Sequence, residues 1–151
     1  VVPVVLQGKL PDGFPANGDG YGYGYGYGSG DGSADGYYWQ SCIAYFAAKW
    51  NERQQKRMNE LTRDGAKIAF WRSNPDGSPA NGGVKVETPA PGVIHTSPGP
   101  LDLCKKGTLH ATLIPPKWKG ERWWIVALKG QVVGDDEKYG ALEREIIGEA
   151  I

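Results

Sequence analysis

Three features of this chain predict an α+β fold, in which two N-terminal helices pack on a mostly antiparallel sheet and follow a Tyr/Gly-rich segment. The first is the apolar run Trp-Trp-Ile-Val-Ala-Leu at 123–128, bounded by Arg122 and by Lys129-Gly130. Its mix of tryptophan and β-branched residues suits a strand buried on both faces. The second is the recurrence of Trp39, Ile43, Phe46, Ala47 and Trp50 at i, i+4, i+7, i+8 and i+11, one face of a helix. The third is the remainder of 66–151, where short apolar segments alternate with Gly, Pro, Asn and Asp in the manner of strands joined by turns.

A chain of 151 residues supports one domain with a real core. We divide it into residues 1–36, a short strand followed by a Tyr/Gly-rich low-complexity arm, and residues 37–151, a compact α+β domain. The formal net charge is zero, so charge as a whole points neither to nucleic acid nor to an acidic membrane surface. The distribution is uneven, with one Lys against four Asp in 1–36 and a mildly basic remainder. No apolar run approaches the roughly 20 residues that cross a bilayer, so no membrane partner is expected. The opening VVPVVLQGKL has no basic leader and reads as no signal peptide. A cytoplasmic or virion-associated setting follows, and Cys42 and Cys104 read as reduced, structural thiols, with one bridge between them left open.

Along the chain, residues 1–10 read as a strand in which Pro3 favours an edge or a strand start. Residues 21–28 alternate Tyr and Gly strictly, and eleven of the 23 glycines precede Tyr37. Ordering such a segment is entropically costly, which favours a flexible tether. If it is extended, alternation puts Tyr21, Tyr23, Tyr25 and Tyr27 on one face as a contact strip. PDGFPANG at 11–18 recurs as PDGSPANG at 75–82, and both copies read as hairpin loops. The first helix covers 37–50. Asn51 with Gln54 resembles a capping box, so a second helix runs from 52 to 63, ends at Asp64-Gly65 and presents only Met58 and Leu61 inward. Its basic residues Arg53, Lys56, Arg57 and Arg63 read as a solvated face, or as a phosphate-binding one, with Arg53 and Arg57 the candidate binding residues. Strands are then expected at 66–73, at 84–87 as its partner, and at 92–96, 101–104, 108–113, 123–133 and 141–147. The last of these places Leu142, Arg144 and Ile146 on one face, opposite Glu143 and Glu145.

Chemistry has few candidates. His110, alternating with Leu109 and Ala111, is a core imidazole or a general acid/base. Zinc needs four converging donors, and Cys42, His95, Cys104 and His110 show no metal-ligand spacing, so no metal or other cofactor is expected. No glycine-rich phosphate loop precedes a helix, and no nucleophile elbow occurs. Glu143 and Glu145 read as salt-bridged edge residues, or as the source of a carboxylate beside His110.

The segments LDLCKKGTLHA and WWIVALKGQVVGDDEKYGALEREI resemble a small domain of unknown function found in many phage and bacterial proteins. That pattern is a Cys, then Gly-Phe-His-Ala-Cys, a strand ending in Gly, an Asp-rich turn, a Lys and a closing strand. Cys104, Gly107, His110, Ala111, Gly130, Asp136 and Lys138 fill the matching places over residues 92–148. One extra residue separates Gly107 from His110, and Thr112 stands where the second Cys belongs, which speaks against a metal or redox site. The resemblance implies a phage or mobile-element origin rather than a particular reaction. The Gly-x-x-His-x-Thr piece with a later Glu is also similar to ADP-ribosyltransferase-like folds. That similarity implies His110 at a nucleotide and Glu145 or Glu143 as the polar catalytic group.

The expected function is therefore binding or assembly, with a protein partner or further copies of the chain. A virion or filament component with the Tyr/Gly arm as tether or contact strip is its concrete form, and nucleic acid at the basic helix remains open. The alternative is a small nucleotide-handling enzyme using His110 and Glu145.

Overall fold

The computed structural model describes residues 36–151; the Tyr/Gly segment, Tyr21, Tyr23, Tyr25 and Tyr27, the N-terminal strand and the first PDG loop lie outside them. The fold is α+β. Helices α1 (Gly36–Ala47) and α2 (Glu52–Arg63) precede strands β1 (Lys67–Ser73), β2 (Ile94–Thr96), β3 (Leu109–Ala111), β4 (Arg122–Lys129), β5 (Val133–Asp135), β6 (Lys138–Ala141) and β7 (Glu143–Glu149), with one 3-10 turn at Pro115–Lys117. The strands form a four-stranded sheet in the order β1-β4-β7-β2 and a three-stranded sheet in the order β3-β6-β5. Every pairing is antiparallel.

Strand β4 is the centre of the larger sheet, and its run Trp123–Leu128 is buried without interruption. Successive side chains of a strand point to opposite faces, so a run of this kind needs cover on both sides. Helix α1 covers one side. Its Trp39 and Phe46 meet Phe70 of β1 edge-on at 6.2 and 5.9 Å between centroids, and Trp39 lies 5.9 Å from Trp123. Edge-on aromatic packing aligns the positive ring edge with the negative face, adding to the burial of large apolar surface.

Helix α2 lies across β7 on this same side. The expected capping box is present: Gln54 N–H donates to Asn51 Oδ1 at 2.8 Å and Asn51 N–H to Gln54 Oε1 at 3.3 Å. Gly65 follows the helix with φ of +89°, a conformation glycine adopts without strain. Gln54 Nε2 donates to the Ile147 carbonyl at 3.2 Å, and Trp50 Nε1 to that of Glu149 at 3.0 Å. This close approach depends on Gly148, where a Cβ atom would stand 2.5 Å from the Trp50 ring and 2.6 Å from Gln54 Nε2. Gly148→Ala is expected to cost about 1–3 kcal/mol by overpacking. The check is the urea midpoint read alongside tryptophan fluorescence, and an unchanged midpoint would contradict the packing described.

Several expected strands are corrected. Residues 84–87 form no strand, and β1 pairs instead with β4, from Lys67 with Leu128 to Ser73 with Arg122. After the second PDG loop the chain returns only as a single bridge between Ser73 and Pro79. There Asp76 Oδ1 accepts from Ser78 N–H and hydroxyl, while Asn81 is anchored to the Lys119 main chain through both its amide N and O. The side-chain bonds of Asp76 and Asn81 thus do the work expected of a strand ladder. Residues 101–104 form a turn in which the Asp102 N–H donates to Thr108 Oγ1 and the Asp102 carbonyl accepts from it. The expected strand 123–133 is divided at Gly130, with φ of +78°, so that β5 joins the smaller sheet. Both cysteines are free thiols, Cys42 buried in α1 and Cys104 exposed rather than structural. Among the described residues no helix is long and apolar enough to cross a membrane.

Candidate functional site

The face of the sheet away from the helices carries an unusual polar cluster. Along β7, Arg144 and Ile146 point to this face and Glu143 and Glu145 to the other, as the alternation predicts. Arg144 is 3% exposed. Its guanidinium lies 4.1 Å above the Trp71 ring, Nε and Nη2 donate to His95 Nδ1 at 3.3 and 2.9 Å, and Nη1 donates to the His110 carbonyl at 2.8 Å. No carboxylate pairs with it among the described residues, and burial pushes its pKa down to about 9. It remains a cation at neutral pH, held by a ring face and two neutral acceptors.

Strand β2 supplies His95 because its pairing with β7 sets His95 directly opposite Arg144. His95 Nε2 lies 2.7 Å from the Glu87 carbonyl, which can only accept, so Nε2 carries the proton and Nδ1 offers its lone pair to Arg144. Burial, then the neighbouring Arg144 cation, lowers the His95 pKa from 6.5 to about 4, against an opposing pull from the Glu87 carbonyl. The protein thus stores a neutral imidazole as the acceptor for a buried cation.

His110 reaches the same region from β3, paired with Gly140 of β6. Its pKa also falls from 6.5 to about 4, through burial first and then the Lys138 and Arg144 cations, while the Leu103 carbonyl raises it. His110 Nε2 is fully buried and has no hydrogen-bond partner among the described residues. The ring borders a cavity of about 20 Å³ shared with Trp71, Thr108, Trp118, Arg144 and the 81–84 segment. Chemically, this is a proton acceptor that is unprotonated at neutral pH beside a buried cation.

Glu145 is on the opposite side of the sheet. Its carboxylate receives Arg57 Nε and Nη2 at 2.8 and 2.9 Å and Lys129 Nζ at 2.9 Å, and these cations hold its pKa below the usual range. Lys129 also meets Glu143 at 3.0 Å. Both glutamates are therefore ion-paired as expected, but they are not edge residues, since β7 is paired with β4 on one side and β2 on the other. The structure does not bring His110 and Glu145 together, because adjacent residues of β7 face opposite ways. It does bring Glu145 together with Arg57, and both line a cleft of about 580 Å³ between α2 and β7 whose rim carries Arg53 and Lys56. Arg53 and Lys56 are exposed and form no ion pair among the described residues.

Sequence reasoning singled out His110 but not Arg144 and His95 as its companions. The only local signal was the placing of Arg144 opposite both glutamates, and nothing local links it to residue 95. Among the described residues no three His, Cys, Asp or Glu side chains converge as metal ligands. No protein-family model matches this sequence, and no curated protein or solved structure matches it either.

Proposed function

We propose that the chain acts by binding and assembly, as a small phage- or mobile-element-type domain whose α2–β7 cleft receives an acidic, extended protein segment. The observation that carries this reading is the pair Arg53 and Lys56, exposed on the rim of the cleft with no ion pair among the described residues. A volume of about 580 Å³ suits a binding cleft. Arg57 is already committed to Glu145 and Glu60, so it shapes the wall and leaves the other two cations to a guest. The chain itself carries a segment of the right charge, since residues 1–36 hold four Asp against one Lys. Assembly through that segment of a neighbouring copy, in a virion or a filament, is the most specific form of the reading.

Sedimentation of the full chain tests it. The wild type is expected to associate in a concentration-dependent way that weakens from 50 mM to 0.5 M salt, because exposed charges are screened. Arg53→Glu with Lys56→Glu is expected to abolish that association while leaving the melting temperature nearly unchanged. A wild type that stays monomeric at every concentration and salt would sink self-assembly. Salt-sensitive binding of an oligonucleotide by such a monomer would replace the acidic protein segment by phosphate.

The second reading, a small enzyme built on His110, is favoured by its buried Nε2, which has no hydrogen-bond partner among the described residues, in a residue that lines a small cavity. In it the partner of His110 is Arg144 rather than Glu145.

A further inference from the structure

Strand β2 ends the larger sheet, and its outer edge pairs with no strand among the described residues. Ile146 N–H donates to the Val93 carbonyl and Ser97 N–H to the Leu142 carbonyl, at 2.8 and 2.9 Å. Those bonds turn the main chain of Val93, His95 and Ser97 toward β7. In an antiparallel ladder the alternate residues turn the other way, so Ile94 and Thr96 point their N–H and C=O groups out of the sheet. No described residue bonds these groups. Sheet edges are ordinarily guarded by a charged side chain, a proline or a bulge. Residues 93–97, Val-Ile-His-Thr-Ser, pair with β7 in unbroken register and contain none of these, since His95 is turned inward and buried.

The same edge lacks apolar cover. Ile94 shares a face with its pairing partner Glu145, the α2 side, and is 42% exposed. Val84, 38% exposed, belongs to the segment whose Glu87 carbonyl meets the His95 ring on the opposite side. Tyr37 at the start of α1 is the other large hydrophobic residue exposed in the described chain. Two of these three residues therefore belong to β2 or to the segment tied to it.

The edge calls for a strand with apolar side chains. Outside the described residues the sequence contains one run of that composition, VVPVVL at 1–6. The Tyr/Gly tract has glycine at every second position, which weakens a strand. Pro3 sets how the run can pair. It has no N–H, so in an added strand it must face away from β2. Val2, Val4 and Leu6 then turn their N–H and C=O groups toward β2. Residues opposite each other in an antiparallel pair share a face, so this parity places one of the three side chains beside Ile94.

Residues 7–35 connect the run to Gly36. A flexible chain of that length spans about 30 Å root-mean-square. A domain of this size has a radius of gyration of about 13 Å, so the run reaches β2 of its own chain. Tethering gives it an effective concentration in roughly the millimolar range, above that of a neighbouring copy in dilute solution.

We propose that residues 1–6 add to the outer edge of β2 of their own chain as an antiparallel fifth strand. Residues 7–35, with Tyr21, Tyr23, Tyr25, Tyr27 and all four Asp of the N-terminal segment, then form a loop held at both ends rather than a free tail. The pairing uses main-chain groups of β2, whereas the α2–β7 cleft offers side-chain cations, so the proposal does not depend on what the cleft binds.

Amide hydrogen exchange of the full chain, followed by NMR, tests this. The Ile94 and Thr96 amides are expected to exchange about tenfold or more slowly in the wild type than in Val4→Pro, which removes an N–H turned toward β2. Val5→Pro removes one turned away, as at Pro3, and is expected to leave that protection within about twofold. Both substitutions lie outside the described domain, and the β4 amides report that it stays folded in each variant. The protection is expected to be independent of chain concentration. Fast exchange of both amides in the wild type, equal behaviour of the two variants, or protection lost on dilution would each overturn the proposal. The last result would assign the added strand to a neighbouring copy.

Discussion

Arg144→Ala is expected to lower the unfolding free energy by about 3–5 kcal/mol, the largest effect of any single polar substitution in the described core. The change removes the group stacked on Trp71 and leaves His95 Nδ1 and the His110 carbonyl without their donor. It also opens a void between β2, β3 and β7. Burial of a cation without a carboxylate is itself costly, so removing the charge while filling its space should hurt far less. Arg144→Met is accordingly expected to recover at least half of the loss, since buried ions replaced by apolar groups of similar volume often come out near neutral. Arg144→Lys should resemble Ala more than Met, because an ammonium is a strongly hydrated point charge that lacks the planar face and fork. Urea denaturation of the three variants decides the matter. An Arg144→Ala variant within about 1 kcal/mol of wild type would mean that the cluster contributes little to stability.

Acid is expected to destabilise the fold well before the carboxylates titrate. His95 has a folded pKa of about 4 against 6.5 ordinarily, so between those values the unfolded chain binds more protons than the native one. Stability is then fully present above pH 6.5 and is lost as pH falls toward 4. For His95, which is 3% exposed, the loss is about 2 kcal/mol by pH 5 and about 3 kcal/mol by pH 4. His110 adds a loss of the same sign over the same window. A fall of at least about 2 kcal/mol between pH 7 and pH 5 is the expected reading in urea. A flat profile over that interval would show that neither imidazole is held neutral. In Arg144→Met the His95 pKa should rise, because the Arg144 cation is one of the two causes of its depression, and the pH dependence should become shallower.

The two predictions bear on how the site could be anticipated. The helices were legible because their information is local. Trp39, Ile43, Phe46 and Trp50 repeat at helical spacing, and Asn51 and Gln54 close a cap within four residues. Strand β4 was legible because six consecutive apolar residues admit few other placements in a chain of this size. His110 stood out as one of only two histidines. Alternation along β7 shows that Arg144 and Glu145 face opposite ways, but which of them lies on the His110 side depends on where the smaller sheet docks. A carboxylate is the commonest companion of a histidine, whereas here the Arg144 guanidinium bonds the His95 ring and the His110 main-chain carbonyl.

Local pattern alone therefore determined the α+β class, both helices, the boundaries of α2, the buried central strand and the facing of Arg144 against Glu143 and Glu145, whereas α1, expected over 37–50, ends at Ala47. Tertiary structure decided the strand partners. β1 pairs with β4 across some fifty residues, whereas the nearer segment 84–87 stays irregular, because the doubly buried β4 gains more cover from Phe70 and Trp71 than a short polar segment offers. It also decided that His95, His110 and Arg144 meet. Those three residues lie on three strands from two sheets, and their convergence depends on the β2–β7 register and on where the smaller sheet docks. Such long-range placements are fixed by the packing of the whole core, and no window of sequence encodes them.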